Sequence, residues 1–323
     1  MLKAYRLQDS RLVSLKPEAE AEADTDAEGQ WLAEAQWIEL VKPKPEELAL
    51  VKHVCKLPLP KMRELDELES GSHHQDFDQG FQLNCLFFHR PDGEPRNTNA
   101  AFIHDGERLV SLCSQVLPHP RLLRRRNKLG MKPLAEPLEI LLALQEIKVE
   151  GLGDETEQAY LTLSDIQKEV LGRRSQDLED AVDGLADQED LIGKIRLCLM
   201  DAQRDIRFLM RQPQMPKKYR KLGAELLLDI DSLMPHNDFL SEKADFLLNA
   251  TQGFINMEQN RLLKIFSVAA LIFLPPTLIA GIYGMNFESM PELSWAWGYP
   301  MALGFILAAA VVPILWVKRK GWL

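Results

Sequence analysis

Residues 265–287 read IFSVAALIFLPPTLIAGIYGMNF, an uncharged run that starts after Lys264 and ends in Tyr283-Gly284-Met285-Asn286-Phe287 before Glu288. A second uncharged apolar run lies between Glu292 and Lys318. Each has the roughly 20 residues that a helix needs to cross a hydrocarbon core. The pair predicts a two-span membrane domain at the C-terminal end, with a short polar turn between the spans.

The whole-chain averages conceal those spans. Mean hydropathy is -0.19, and 27% of the 323 residues are charged, with a net charge of -10. Such values arise when two spans are diluted by a large polar domain. The N-terminus, Met1-Leu2-Lys3-Ala4-Tyr5-Arg6, has no apolar core and no small-residue cleavage site, so no signal peptide is expected. Arg261 and Lys264 precede the first span and Lys318, Arg319 and Lys320 follow the second, whereas the loop between carries Glu288 and Glu292. By the positive-inside rule both termini are cytoplasmic and the loop is outside. Trp295, Trp297, Tyr299, Trp316 and Trp322 mark the ends of the second span.

Four segments follow. Residues 1–116 form an α+β cytoplasmic domain, 117–215 a helical hairpin region, 216–264 the cytoplasmic part of a stalk helix, and 265–323 the membrane domain. Within the last, the spans cover about 265–283 and 297–317, the outer loop 284–296 and a basic tail 318–323. Strands are expected at Leu2–Leu7, Arg11–Leu15, Gln36–Leu40 and Phe81–Phe88, with a helix at Glu46–Cys55. Ala100–His104 and Arg108–Leu112 flank an Asp105-Gly106 turn in a hairpin. The acidic stretch Pro17–Gly29 lacks apolar periodicity and reads as a loose linker or surface insertion. From His119 onward the β signal disappears. Leu134–Gly172 and Arg173–Met210 then show helical spacing and imply two antiparallel helices. A last helical pattern starts near Lys217 and meets no stop before Pro275; at 1.5 Å per residue it would approach 100 Å. Pro235 is expected to kink or interrupt it.

Few residues outside the spans suggest chemistry. Cys55, Cys85, Cys113 and Cys198 are scattered without paired-ligand spacing and are expected as reduced thiols in a packed interior. His73 and His74 with Asp76 and Asp78 lack helical ligand spacing and read as a surface loop. Arg124, Arg125, Arg126 and Lys128 form one short basic cluster on an acidic chain, a solvated helix face or a lipid contact, and no nucleic-acid partner is expected. No nucleophile-base pair, phosphate-binding glycine loop or dinucleotide fingerprint is visible, so neither enzyme activity nor an organic cofactor is expected.

Phe273–Glu288, Met290-Pro291-Glu292-Leu293, Trp297-Gly298-Tyr299-Pro300 and the terminal Lys318-Arg319-Lys320-Gly321-Trp322-Leu323 resemble the CorA family of magnesium channels. Ile195–Asp201 and Phe254–Arg261 look like its enterobacterial-type branch. The resemblance implies a homopentameric funnel in the bacterial inner (plasma) membrane, five first spans around one pore, and second spans as an outer ring. It implies influx of Mg2+, with Co2+ and Ni2+ also passing. Independently, two spans without an embedded charge cannot enclose an ion path in one subunit, so transport needs a ring of copies.

The implied pore face steps back from Asn286 through Gly281, Thr277, Leu274, Ala270, Ser267, Leu263 and Asn260, at mostly three- and four-residue intervals. No carboxylate lies there. Magnesium dehydrates reluctantly, so a ring that leaves its waters in place can work with neutral oxygens. Gly284, Met285 and Asn286 are the expected selectivity filter: Asn286 presents its side-chain carbonyl, Gly284 permits the turn, and Met285 packs behind it. If the family register holds, Leu274 and Phe266 face the axis as apolar rings that stop ions by dewetting. Glu288 and Glu292 would form an acidic outer rim that concentrates cations. Asp177, Glu179, Asp180, Asp183, Asp187, Glu189 and Asp190 gather near the hairpin turn, as a solvated face or a cation reservoir. Glu225, Asp229 and Asp231 are candidates for the family's inhibitory Mg2+ sites between subunits. One departure is Asn249, where other branches carry an acid near the inner pore. Two alternatives stay open: a zinc transporter of the same superfamily, and a membrane-anchored scaffold without transport.

Overall fold

The computed structural model describes residues 1–15, 27–60, 62, 65, 74–77, 80–172, 178–213, 215–285 and 290–319. These fall into two compact units that divide between Leu248 and Asn249.

The first unit holds a seven-stranded sheet. Its strands are β1 (Leu2–Gln8), β2 (Arg11–Leu15), β3 (Trp37–Val41), β4 (His74–Phe77), β5 (Gly80–His89), β6 (Arg96–His104) and β7 (Leu109–Cys113), in the spatial order β2-β1-β3-β7-β6-β5-β4. Every pairing is antiparallel except β3 with β7, which run parallel from Trp37 opposite Leu109 to Val41 opposite Cys113. These two central strands are buried throughout, as a sheet covered on both faces requires.

Side-chain alternation divides the core in two. Trp37, Phe81, Leu83, Cys85, Phe87, Phe102 and Leu109 point to one face. There they meet Leu123 of α3 (Pro118–Lys128), the apolar run Leu138–Leu144 of α4 (Pro137–Leu171) and Leu209 of α5 (Leu178–Arg211). Ile38, Leu40, Ala101, Ile103, Val110 and Leu112 point to the other, against α1 (Ala27–Ala33) and α2 (Pro45–Cys55) through Leu32 and Val51. The β6–β7 turn forms as expected: Asp105 Oδ1 accepts the N–H groups of Glu107 and Arg108 at 3.0 and 2.7 Å, and Gly106 adopts φ +93.

Some expectations change. His74 and Asp76 lie on β4 rather than in a surface loop; His73 and Asp78 lie outside the described residues. The His74 ring stacks on Phe208 of α5 at 4.3 Å, and Gln212 donates to Asp76 at 2.9 Å. The basic cluster is not one solvated face either. Arg124 pairs with buried Glu39 at 2.5 Å and lies over the Tyr5 and Trp37 rings, while Arg126 pairs with Glu150 at 2.6 Å. Most of the acidic stretch from Pro17, and Asp177, lie outside the described residues, but Ala27–Gly29 opens α1 and Glu179, Asp180, Asp183, Asp187, Glu189 and Asp190 are exposed on α5. Among the described residues the four cysteines are free thiols, three of them buried.

α6 runs from Lys217 to Tyr283 and stays helical through Pro235, Pro275 and Pro276. The second unit contains its part from Asn249, a 3-10 turn at Pro291–Ser294, and α7 (Gly298–Arg319).

Candidate functional site: an uncovered face on the first apolar helix

α6 and α7 are both long and apolar enough to cross a membrane, with a mean hydropathy of 2.2 over their apolar windows. Ile279, Ile282 and Tyr283 of α6 and Phe305, Ala308, Ala309 and Val312 of α7 line a common cavity of about 640 Å³. Coverage along α6 has a clear period. Between Leu263 and Tyr283, the half-covered positions are Val268, Ala269, Ile272, Pro275, Pro276, Ile279 and Tyr283. At about 100° per residue these centre on one face. Leu263, Ser267, Ala270, Leu274, Thr277 and Gly281 centre roughly 180° away, flanked by Asn260 and Phe266, and all eight of these side chains or Cα positions are exposed. α7 shows the matching stripe, with Ala302, Ile306, Ala309, Pro313 and Val317 covered.

The uncovered face combines apolar and oxygen-bearing positions. Ser267 Oγ donates to the Leu263 carbonyl at 2.7 Å, and Thr277 Oγ donates to the Phe273 carbonyl at 2.7 Å. With their protons committed to the backbone, both hydroxyls present only lone pairs outward. Pro275 and Pro276 lack N–H groups, so the carbonyls of Leu271 and Ile272 have no helical donor. No carboxylate or base occurs between Lys264 and Glu288.

The helix ends at the motif. Gly284 N–H donates to the Ala280 carbonyl at 2.9 Å and Met285 N–H to Ile282 at 3.3 Å. A Cβ on Gly284 would come within 3.1 Å of the Ala280 carbonyl oxygen, which explains glycine at the bend. Met285 is 47% exposed. Asn286, Phe287 and Glu288, and the side chain of Glu292, lie outside the described residues. Trp295, Trp297, Tyr299 and Trp316 are exposed around α7.

In the first unit the three candidate regulatory acids do not converge. Glu225 and Asp229 line a cavity of about 380 Å³ with Glu146 and Glu150 of α4, whereas Asp231 accepts from Gln203 of α5 at 2.7 Å. Lys132 pairs with Glu146, Arg126 with Glu150, and Lys221 lies 3.7 Å from Glu225. Among the described residues no three His, Cys, Asp or Glu side chains gather as metal ligands.

A buried ionic cluster escaped the sequence reading. Lys148 of α4 lies 2.8 Å from Asp201 and 3.6 Å from Asp205 of α5, and Lys148 and Asp205 have fully buried side chains. Asp201 also accepts Leu86 N–H at 2.6 Å, and Asp205 contacts His74 Nε2 at 3.3 Å and Gln145 Nε2 at 3.4 Å. Burial alone would lower the Lys148 pKa, but Asp201 and Asp205 outweigh it and raise it. Burial, with Asp201 beside it, pushes the Asp205 carboxyl up. The available signal was two acids at i and i+4 beside the apolar stripe Ile195, Cys198, Ala202, Ile206 and Leu209.

Residues 33–319 match the family model described as CorA-like Mg2+ transporter protein. The chain is 41% identical over 327 residues to the magnesium transport protein CorA of Escherichia coli K12, covering 100% of both. It is 40% identical, with the same coverage, to that of Salmonella typhimurium LT2. Its fold is similar to the complete CorA magnesium transporter of Methanocaldococcus jannaschii, with a TM-score of 0.73 at 15% identity over 100% of this chain and 99% of that one. It is likewise similar to full-length CmaX, with a TM-score of 0.68 at 16% identity over 99% and 96%. With a family model spanning residues 33–319 and relatives at 41% identity end to end, the chain belongs to the CorA-like Mg2+ transporter family.

Proposed function

We propose that the chain forms a gated channel for Mg2+ influx, as a homopentamer in the bacterial inner membrane with both termini in the cytoplasm. The observation that carries this reading is the uncovered face of α6, opposite its covered side and free of charge. A ring of such faces surrounds an axis without exposing a carboxylate to it. The waters around a magnesium ion point protons outward, and Ser267 and Thr277 offer lone pairs to them. Five Asn286 carbonyls at the outer mouth, with Gly284 and Met285, continue that chemistry, and Glu288 and Glu292 raise the cation concentration outside. Leu274 and Phe266, 66% and 69% exposed, are apolar rings suited to closing the pore by dewetting. Co2+ and Ni2+, similar hydrated divalent ions, follow the same path. The membrane potential drives entry, at about 4.6 kcal/mol per divalent ion per 100 mV.

Self-association has separate support in the first unit. Leu228, Phe239 and Phe246 of α6 are 69%, 53% and 64% exposed. Their spacings of 11 and 7 residues keep them within an arc of about 20°. An apolar stripe of that kind suits packing against another copy. Internal Mg2+ acting at Glu225, Asp229 and Asp231 closes the channel by neutralising carboxylates on neighbouring copies.

Uptake by liposomes containing the purified chain tests this reading, with Mg2+ and Zn2+ compared side by side and repeated at high internal Mg2+. Mg2+ entry abolished by Asn286→Ala is expected. Zinc-only flux, or none, would overturn the function, and flux indifferent to internal Mg2+ would overturn the feedback.

A further inference from the structure

In the first unit a cavity of about 440 Å³ opens where the end of β4, the β6–β7 turn, the start of α4 and the link from α5 to α6 meet. Its floor is apolar: Phe81, Leu138 and Met215 line it and are buried. Its rim is acidic: Asp76 and Glu136 line it and are exposed, and no lysine or arginine is among the described residues lining it. An apolar pocket of this size with a few polar groups is the usual form of a small-molecule site.

Neither rim acid is matched by a cation. Among the described residues Asp76 accepts only from the neutral Gln212, at 2.9 Å, and that amide keeps its own carbonyl oxygen as a further acceptor. Glu136 accepts from the Tyr219 hydroxyl but joins no ion pair among the described residues. Its neighbour Glu139 is the acid that holds Lys218, at 2.8 Å, and the Ala135 N–H, at 2.6 Å. The start of α4 is therefore compensated without Glu136.

His104 is only 8% exposed and also lines the cavity. Its Nδ1 accepts the Gly106 N–H at 3.2 Å. Burial holds its pKa below the usual range, against the pull of Asp105 and Glu136, so the ring is neutral at physiological pH and carries its proton on Nε2. That N–H has no acceptor among the described residues and, unlike His119 Nδ1, is not sealed inside the core. A donor left unmet in so buried a side chain is destabilising, which favours an oxygen from outside the chain at that point.

Two carboxylates over an apolar floor offer too few oxygens for Mg2+, which demands an octahedral oxygen shell, and no three metal-ligating side chains gather among the described residues. We infer that this cavity binds an organic ammonium compound, with its charged nitrogen at Asp76 and Glu136, its carbon body on Phe81, Leu138 and Met215, and an uncharged oxygen at His104 Nε2.

The full-length chain in detergent, free of Mg2+, is tested by equilibrium dialysis with tyramine, which carries an ammonium, an aromatic ring and a phenol oxygen. Matched empty micelles fill the opposite chamber. Saturable binding of one tyramine per chain, with Kd on the order of 1 mM or tighter, is expected. Para-ethylphenol, the same body without the ammonium, should bind about tenfold more weakly, and phenethylamine, which lacks the oxygen, about threefold more weakly. Asp76→Asn combined with Glu136→Gln preserves shape and the bonds to Gln212 and Tyr219. It should weaken tyramine binding by about tenfold or more without moving the thermal transition, and Glu136→Gln alone by about threefold. Glu94→Gln, just before the opposite end of β6 from His104, should leave binding as it is. No saturable binding of tyramine, para-ethylphenol or phenethylamine bound as tightly as tyramine, or unchanged binding in the folded double variant or in Glu136→Gln would overturn the site.

Discussion

Replacing Lys148 with methionine removes the ammonium that lies beside both Asp201 and Asp205. The ammonium lies 2.8 and 3.6 Å from the two carboxylates, and the side chains of Lys148 and Asp205 are fully buried. Methionine keeps an unbranched side chain of similar length and loses only the ammonium, which also sits 5.2 Å from the centre of the Phe87 ring, so the loss is electrostatic. Removing one partner of a buried ion pair typically destabilises by about 3–5 kcal/mol, because the other charge stays behind without compensation. For a unit of this size that corresponds to an unfolding temperature lower by roughly 10 °C. Asp205, already pushed up by burial and by Asp201, is the group that takes up a proton when the ammonium is gone. The penalty should therefore shrink as the pH is lowered from 7 to 5, which a simple packing defect would not do. The comparison is Lys168→Met, which breaks an exposed pair with Asp165 and should leave the transition in place. Thermal unfolding of the full-length chain in detergent, followed by near-UV circular dichroism at both pH values, reads out all three effects. Equal transitions for Lys148→Met and Lys168→Met would refute the assignment of a buried charge cluster, and a pH-independent difference would refute the proton uptake.

His119 gives a second, independent pH dependence. Its pKa is about 3 in the folded chain against 6.5 when exposed, so the unfolded chain binds the proton first as pH falls. Stability is intact above 6.5 and drains between 6.5 and 3, by about 2 kcal/mol on reaching pH 5. Replacing His119 with phenylalanine should flatten that part of the stability-pH curve, measured by urea unfolding of the full chain. At the pore face, Thr277→Val keeps the shape and removes the outward lone pairs. If the ring of five hydroxyls together contributes about 0.5–1.5 kcal/mol to holding the hydrated ion, Mg2+ flux in liposomes should fall roughly twofold to tenfold. Thr277→Ser should retain it, and equal flux for valine and threonine would remove the hydroxyl from the mechanism.

How far the sequence discloses this molecule depends on whether a signal is local. The β6–β7 hairpin is legible because Asp105 and Gly106 supply the turn from their own side chain and backbone. The membrane helices are legible because their length against a hydrocarbon core is read from composition alone. Lys148 and Asp201 belong to the opposite case. They are separated by 53 residues, and each taken alone reads as a solvent-facing charge. Strand β4, His-Gln-Asp-Phe, shows no apolar alternation: it is an edge strand paired only to β5, with Phe77 against the core and with His74 on Phe208 and Gln212 on Asp76 adding to that pairing. The basic cluster misleads for a geometric reason. Arg124 and Arg126 are two residues apart, about 200° around a helix, so they point to different partners, Glu39 and Glu150.

The same geometry bears on the acids proposed to bind inhibitory Mg2+. Glu225 and Asp229 are four residues apart, share one face of α6 and line the cavity beside α4. Asp231 lies about 200° further round from Asp229 and is bonded to Gln203 of α5. One helix cannot turn both faces to a single ion. A Mg2+ held by Asp231 together with Glu225 or Asp229 therefore has to take them from two copies of the chain. Inhibition at such a site is then inseparable from assembly. Asp231→Asn should relieve Mg2+ inhibition of flux to the same extent as the Glu225→Gln, Asp229→Asn double variant, and combining all three should add nothing. Additive relief in liposome flux would mean that the two faces bind separate ions.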